Sequence, residues 1–311
     1  MAKVDIRKDG AENVKYDYDG YFAYVRRGLL SSYPGFAADS HWHDDLEFIS
    51  VLSGDMYYNV NGEIVHLDAG QGIWVNARQL HYGFSPEHTE CNFYCVLLHP
   101  MLLCASQQID RDFISPIISD ESLPYILLDS RILWQKQILN AICSIYECRE
   151  SSLAPLHIQS LFYQIWELMS ENVKNVRRRT GINDRRLSIL KDMLSYIQDN
   201  YSDKVTLNDI AAAGNVSSST CLVIFKKYLQ DTPANYLIRY RLKKAMELLQ
   251  KSDLSITEIA FDVGFRGASY FAEAFRKTCG CSPSEYRAKM TGERWELCEQ
   301  RQTALPLKTC K

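Results

Sequence analysis

Three side chains near the start of the chain are of types that bind metal ions or polar ligands, and their spacing suits one face of a strand. His41, His43 and Glu47 are separated by even numbers of residues. Because successive side chains of a β-strand point to opposite faces, this spacing predicts that the two imidazoles and the carboxylate face the same way. Such groups suit a transition metal, and they also suit the polar wall of a small-molecule pocket. Both alternatives stay open at the level of sequence.

A second set of polar and charged side chains lies on two segments in the last third of the chain. Cys221, Ile224 and Phe225 in one segment, and Phe271 and Phe275 in the other, recur at the spacing of one helix face. The side chains left outside are mostly hydroxyls and cations, which we predict contact bases and phosphates of DNA. This predicted set comprises Ser218, Ser219, Leu222, Val223, Lys226, Lys227, Arg266, Ser269, Tyr270, Ala272, Glu273, Arg276 and Lys277.

The two segments belong to an internal repeat. Residues 206–237 and 255–287 share apolar, lysine, proline and tyrosine positions, with one residue inserted near Arg266. Each copy is typical of a short helix, a turn and a second helix, with Thr206 and Ser255 as caps. A helix with a basic start over 235–249 connects the copies and would hold their outer faces about one turn of DNA apart. A plain helical bundle explains the apolar spacing but not the duplication together with the positive charge.

In this repeat the chain resembles the AraC/XylS class of transcription regulators, over about 100 residues. The resemblance implies two helix-turn-helix units that bind double-stranded DNA. The class often has arginine two residues before the buried phenylalanine of each reading helix, where this chain has Val223 and Glu273. We therefore expect Leu222 and Val223 to contact thymine methyl groups, and Glu273 either to accept from a cytosine amino group or to pair with Arg276 or Arg266. The matching positions are Ile259-Ala260, Val263-Gly264-Phe265, Ser269-Tyr270-Phe271, Phe275-Arg276-Lys277, Gly280, Ser282-Pro283 and Tyr286-Arg287.

The first third of the chain consists of short apolar stretches separated by turns. Asn61-Gly62 between two such stretches predicts a tight hairpin. Ser53-Gly54 predicts that the strand over 48–52 ends there and that a new one begins at Met56. The regular spacing of these turns predicts an antiparallel barrel or jelly roll.

This predicted barrel resembles a cupin. The first cupin motif is complete, with Gly35, His41, His43, Glu47 and Gly54, and the second is partial, with Gly70 and His81 but with Asn76 and Arg78 where proline and glycine are usual. In metal-binding cupins the equivalents of His41, His43, Glu47 and His81 bind one ion. The resemblance thus implies either a site for one divalent transition metal or a pocket wall in a protein that requires no cofactor. We predict an effector pocket lined by His41, His43, Glu47, Trp74 and His81.

Helical spacing replaces the strand pattern after about Ile109. Apolar residues predict one helix through Leu133 and Ile145, capped by Asp129, and another over 156–169. We predict an α+β chain of four parts. These are a cupin-like sensing and dimerisation domain at 1–173, a linker at 174–186, an all-α DNA-binding domain at 187–289 and a tail at 290–311.

Charge is divided between the two halves of the chain. Residues 1–173 carry a net charge of −12 and residues 174–289 a net charge of +8. A basic module joined to an acidic one indicates that only the second faces a polyanion. The ten cysteines contain no CxxC pair, which favours reduced thiols in the cytoplasm. No run of 18 apolar residues occurs, so we expect no membrane span, and the first 20 residues do not resemble a signal peptide.

We interpret the sequence as that of a sequence-specific DNA-binding transcription regulator controlled by a small molecule, such as a sugar, bound in the barrel. We expect a homodimer, with double-stranded DNA and RNA polymerase as macromolecular partners and no enzymatic activity. The main alternative is a metal-dependent cupin enzyme with an attached DNA-binding module, which predicts a tightly held metal and turnover. A third is an interaction scaffold whose helix-turn-helix units no longer bind DNA.

Overall fold

The computed structural model describes residues 11–176 and 185–292. Most of the predicted linker at 174–186 and most of the predicted tail at 290–311 lie outside these ranges, as do residues 1–10. The predicted fold class is confirmed, because an antiparallel β domain with packed helices precedes an all-helical domain.

Seven strands form the β domain, and every pairing is antiparallel. The order along the main sheet is β1-β6-β2-β4-β7, and β3 and β5 pair with the second half of β2. We call these paired strands the barrel. The strands are β1 (Ala23–Leu29), β2 (Leu46–Val60), β3 (Glu63–Asp68), β4 (Gln71–Val75), β5 (His81–Phe84), β6 (Cys91–Leu98) and β7 (Tyr125–Asp129).

β2 is one continuous strand of 15 residues, so the expected break at Ser53-Gly54 is wrong. The pairing register with β6 shifts between Val51 and Ser53, and Gly54 has φ 74°. A bulge of this kind bends a strand without ending its hydrogen bonding, and glycine tolerates the positive φ. The first half of β2 therefore pairs with β4 and the second half with β3 and β5, so that one strand belongs to both parts of the barrel.

The helices that follow the barrel cover the outer face of its sheet. Two single turns, α1 (Gln107–Ile109) and α2 (Ser115–Ile118), flank a π-helical turn, and α3 (Leu133–Cys148) and α4 (Ala154–Asn172) follow β7. Phe48 and Trp74 of the sheet pack with Phe162 of α4 in this core. Asp129 ends β7 and does not cap α3, whose N-cap is Ile132. The capping prediction was wrong because the short strand before this helix was not recognised.

The C-terminal domain consists of two helix-turn-helix units joined by one long helix, and it has two apolar cores. Phe225 lies in the first core and Phe271 and Phe275 in the second, all fully buried. The side chains of Thr206 and Ser255 accept from backbone N–H groups at the third helical position, as their predicted capping requires. The helices are α5 (Arg185–Asn200), α6 (Leu207–Ala213), α7 (Ser218–Leu229), α8 (Pro233–Lys251), α9 (Ile256–Asp262), α10 (Ala268–Cys279) and α11 (Pro283–Gly292).

Across residues 11–176 and 185–292, the search for a helix both long and apolar enough to span a bilayer found none.

Candidate DNA interface and ligand site

The outer face of α7 is open to solvent. Its predicted DNA contacts Ser219, Leu222, Val223 and Lys226 are exposed, and Ser218 is partly exposed because its hydroxyl donates to the Asn208 side chain at 2.6 Å. Val223 is 58% exposed, which is far above the usual exposure of a valine that packs in a core. The local cause is the helical spacing, because the inner positions of α7 are occupied by the buried residues of the first core.

The outer face of α10 is exposed in the same way. Ser269, Tyr270, Glu273, Arg276 and Lys277 are exposed, and of the remaining predicted contacts Arg266 is exposed and Ala272 partly so. Gly280 ends the helix in a left-handed conformation with φ 73°. Gln230 ends α7 with φ 54°, where a glycine is the less strained residue. The two reading helices thus end alike despite the different residue.

The two outer faces border one groove. Leu222 of α7 and Tyr270 of α10 both line a cavity of about 340 Å³ between the units, and its floor includes Leu237 and Ile238 of α8. Arg241 of α8 donates at 2.7 Å to the carbonyl of Tyr201, just after α5, which fixes α8 to the first unit. The two reading helices therefore border the same surface of the domain, as two helices must to enter successive grooves of one duplex.

Inside the barrel, the four residues of the cupin-like motifs come together. We call His41, His43, Glu47 and His81 the histidine cluster; one ligand atom from each lies within 4.8 Å of the others. All four side chains are at least nine-tenths buried. The Glu47 Oε2 lies 3.7 Å from the His43 Nε2 and 3.5 Å from the His81 Nε2. His41, His43 and Glu47 lie on one side, as their even spacing predicts, and a bridge between His41 and His81 brings in the fourth residue.

Hydrogen bonds to the backbone orient the three imidazoles. The Nδ1 atoms of His41, His43 and His81 lie 2.7, 3.0 and 2.8 Å from the carbonyl oxygens of residues 39, 45 and 79. A carbonyl only accepts, so each Nδ1 carries the proton and donates it. Each Nε2 is then free of its proton in the neutral ring, and those of His43 and His81 have no hydrogen-bond partner among the described residues. This is the arrangement by which proteins prepare imidazoles as metal ligands.

The charges in the cluster are coupled. Burial alone would raise the pKa of Glu47, but His81 and His43 outweigh it and hold the pKa well below its ordinary value. Burial, together with His81 and His43, lowers the pKa of His41, whereas Glu47 overcomes the effect of burial at His43 and raises its pKa. The cluster therefore contains an ionised carboxylate beside a neutral His41.

Three residues that the sequence analysis did not include also contact the cluster. The Tyr58 hydroxyl donates to Glu47 Oε1, the Cys95 thiol lies 3.8 Å from Glu47 Oε2, and the Glu12 carboxylate lies 3.6 Å from His41 Nε2. Tyr58 reaches Glu47 because β2 bends at its bulge, and Glu12 reaches His41 because its backbone N–H donates to the carbonyl of Trp42 at 2.7 Å. Spacing along the sequence contains no sign of either contact.

Trp74 does not line the cluster, so its place in the predicted pocket is corrected. Trp74 pairs with Phe48 across the β4 and β2 strands and is fully buried with it in the core against α4. Glu47 is the neighbour of Phe48 on β2 and so faces the other side of the sheet. The aromatic ring that does meet the cluster is that of Tyr58, which stacks on His81.

Comparison with known proteins agrees with both halves of this arrangement. Residues 24–180 match the family model of the AraC-like ligand binding domain, and residues 210–289 match that of a helix-turn-helix domain. The transcriptional regulator YdeC of Bacillus subtilis (strain 168) is 31% identical over 251 residues, which cover 79% of this chain and 85% of that one. The melibiose operon regulatory protein of Escherichia coli (strain K12) is 24% identical over 291 residues, covering 92% and 93% of the two chains. The lactose operon transcription activator of Staphylococcus xylosus is 26% identical over 240 residues, covering 76% and 81%.

A barrel with an enclosed polar cluster, followed by two exposed reading helices on one surface, defines a ligand-binding transcription regulator. The chain belongs to the AraC family of DNA-binding transcription regulators. Its domains and relatives are those of regulators and not of enzymes.

Proposed function

We propose that this regulator reads its operator through the exposed faces of α7 and α10, and that a small ligand in the barrel controls how it does so. The observation that carries the proposal is the shared groove. Leu222 and Tyr270, from opposite units, line the same cavity, which supports contact of both faces with one duplex.

We assign different tasks to the two ends of each reading helix. Lys226 and Lys227 near the end of α7, and Arg276 and Lys277 near the end of α10, are exposed and suit phosphate groups. Leu222, Val223 and Glu273, in the middle of the two helices, suit base edges. Among the described residues the Glu273 carboxylate forms no ion pair with Arg276 or Arg266 and is exposed, which favours a base contact over pairing with either arginine.

DNA binding is tested with the segment upstream of the protein's own gene, in a mobility-shift or anisotropy titration of the full chain. We expect binding that weakens steeply with salt. We expect that replacing Val223 by lysine and Glu273 by arginine together abolishes binding to the upstream sequence but not to unrelated DNA. Binding to no such fragment at low salt contradicts the proposal.

We propose a sugar or related polyol as the effector. The melibiose and lactose operon regulators are similar over three quarters or more of this chain, and the cluster offers both a carboxylate and imidazoles as hydrogen-bond partners for hydroxyl groups. Since the cluster is buried, a molecule of this size requires the segment around Glu12 to move aside. A thermal-shift screen with melibiose, lactose and their monosaccharides is the direct test. A ligand that binds only the folded chain raises its Tm, and no shift by any of these sugars removes this class of effector.

A divalent transition metal is the second candidate ligand, and the residues fit it. The cluster is a suitable set of metal ligands, with three imidazoles and an ionised carboxylate. The Nδ1–H groups of all three imidazoles already donate to backbone carbonyls, and two of the buried Nε2 atoms have no hydrogen-bond partner among the described residues. The metal would supply positive charge to the cluster and join the segments that contribute its four ligands.

The test for metal is elemental analysis of the purified protein, followed by Tm measurements with Zn²⁺, Mn²⁺ and Co²⁺. We expect His81→Ala to abolish the metal-dependent rise in Tm. His66→Ala is the matched control, since His66 is exposed and bound to Asp55 at 2.9 Å on the outside of the barrel. An equal rise in Tm in the native chain and the His81 variant contradicts the assignment.

We also propose that the regulator is a homodimer that acts in the cytoplasm, where the chromosome and RNA polymerase are. The support for a dimer is apolar side chains exposed at both ends of the α3–α4 pair, Ile132 and Leu133 at one end and Leu153 and Leu156 at the other. RNA polymerase stays a predicted partner.

A further inference from the structure

Besides the β2–β3 turn at Gly62, which lies against the backbone of Lys227 at the end of α7, the barrel contacts the first helix-turn-helix unit through two short segments that carry histidines of the cluster. We call residues 39–43 and 78–82 the clamp. The two segments are joined by backbone hydrogen bonds between His41 and His81 at 3.2 and 2.9 Å. Because neighbouring residues of an extended chain face opposite sides, the histidines face into the barrel while Trp42 and Leu80 face outward.

The outward residues of the clamp are part of the C-terminal domain's packing. Leu80 is 1% exposed and lies in the first helix-turn-helix core beside Leu190 of α5, and Trp42 packs against the same core. The Lys191 Nζ lies 4.2 Å from the centroid of the Trp42 ring and donates to the Arg78 carbonyl at 3.1 Å. Apolar burial and a cation–π contact therefore join the clamp to α5.

Polar contacts extend this interface to α7 and α8. The Asp39 carboxylate is 2.7 Å from the Lys243 Nζ of α8, while the Asp39 carbonyl accepts from His41 Nδ1. The Tyr82 hydroxyl donates to the Leu229 carbonyl, at the end of α7, at 3.2 Å. Each histidine is thus bonded to, or next to, a residue that contacts the helix-turn-helix unit.

Binding of a metal inside the cluster would draw its more distant ligands inward, and the clamp with them. A metal held at about 2.1 Å in tetrahedral geometry brings its ligand atoms to about 3.4 Å from one another, whereas here they lie as far apart as 4.8 Å. The three imidazoles are tied to backbone carbonyls, so their approach moves the segments that carry Trp42 and Leu80. Packed interfaces of this kind change between discrete arrangements and do not deform smoothly.

The charges of the two domains set the direction of the effect. The clamp holds an N-terminal region, residues 1–173, with a net charge of −12 against a DNA-binding domain, residues 187–289, with a net charge of +3. A region of net negative charge docked on the domain repels DNA, and the Asp39 carboxylate also engages one of the domain's cations, Lys243. Docking of the barrel therefore opposes DNA binding.

We propose that the clamp holds the first helix-turn-helix unit in a state of low DNA affinity, and that a ligand bound by the histidine cluster loosens it. This inference rests on the proposed function of the cluster as a ligand site. It specifies the route, which runs from the cluster through Trp42, Leu80 and the Asp39–Lys243 pair to α5, α7 and α8.

The first test is hydrogen exchange of the full chain, measured by mass spectrometry with and without Zn²⁺. We expect Zn²⁺ to slow exchange in the clamp peptides and to accelerate exchange in α5 and the end of α7, on the order of fivefold. In Trp42→Ala the exchange in α5 and α7 should already be fast and should not respond to Zn²⁺. Trp134→Ala is the control, because Trp134 packs on the α3 side of the barrel, away from the clamp. Asp39→Asn, at a half-exposed side chain, tests the same route with little risk to folding.

Two results overturn the proposal. One is protection of the clamp peptides by Zn²⁺ with no change in α5 and α7 of the native chain, and the other is an unchanged response in both Trp42→Ala and Asp39→Asn. If Zn²⁺ leaves hydrogen exchange in the clamp peptides unchanged, the assignment of a metal site is wrong, but the clamp is still untouched by that result. The cluster is then perturbed by the substitution Glu47→Gln in place of metal binding, and exchange is measured again. If exchange rates in α5 and α7 of the Glu47→Gln variant equal those of the native chain, the proposed coupling through the clamp is wrong.

The second test is affinity for the upstream DNA fragment. Trp42→Ala and Asp39→Asn should bind it about fivefold more tightly than the native chain, which is a typical coupling between sites. Equal or weaker binding by both variants contradicts the proposed direction. If neither the native chain nor the variants bind DNA, the proposed function fails, while the exchange experiment still decides the clamp.

Discussion

The salt dependence of DNA binding is the most direct measure of the proposed interface. Five cations on or beside the reading faces, Lys226, Lys227, Arg266, Arg276 and Lys277, are exposed. If each neutralises one phosphate, the slope of log K against log salt concentration is about −4.5, since each contact releases about 0.9 counterion. Affinity then falls about 500-fold when monovalent salt is raised from about 50 to 200 mM.

Removing one of these charges changes the slope by a known amount. Lys277→Gln should give a slope of about −3.6, so that the same rise in salt weakens binding only about 150-fold. The assay is fluorescence anisotropy with a labelled duplex from the upstream segment, titrated at four or more salt concentrations. Lys136→Gln is the matched control, because Lys136 is an exposed lysine on α3 and should leave the slope unchanged.

The reasoning is refuted if Lys277→Gln keeps the native slope, or if Lys136→Gln reduces the slope by as much. The first result would mean that the outer face of α10 does not approach the phosphates. The second would mean that the measured slope reflects the total charge of the chain and not a defined interface.

Three further predictions concern the core, the base contacts and the dimer. Phe275→Ala, at a fully buried ring, should lower the free energy of unfolding by about 3–5 kcal/mol in a denaturant titration, whereas Phe261→Ala, at a ring that is 54% exposed, should cost far less; equal losses would contradict the observed packing. Glu273→Gln should weaken discrimination for cytosine at one operator position by about 1–3 kcal/mol in a binding-site selection, and an unchanged preference would assign Glu273 to the solvent-exposed surface only. Leu156→Glu should shift the chain from dimer to monomer in sedimentation, and Ile64→Glu, on an exposed β3 position, should not; a monomeric native chain would remove the proposed dimer.

Local signals in the sequence were sufficient for the helix-turn-helix units. Their helices begin at serine and threonine caps, and the buried and exposed positions of α7 follow from a spacing of three and four residues. Neither feature depends on distant parts of the chain. The same holds for the shared orientation of His41, His43 and Glu47, which the alternation along an extended chain determines.

Only the tertiary structure decided features that depend on the path of the chain between distant residues. The bulge in β2 brings Tyr58 to Glu47, the pairing of Phe48 with Trp74 turns that tryptophan away from the cluster, and the backbone bond to Trp42 brings Glu12 to His41. Likewise, nothing in the pattern around Leu80 shows that it completes the core of another domain. Patterns of residue type fix which face of an element is apolar, but the partner of that face is chosen by packing over the whole molecule.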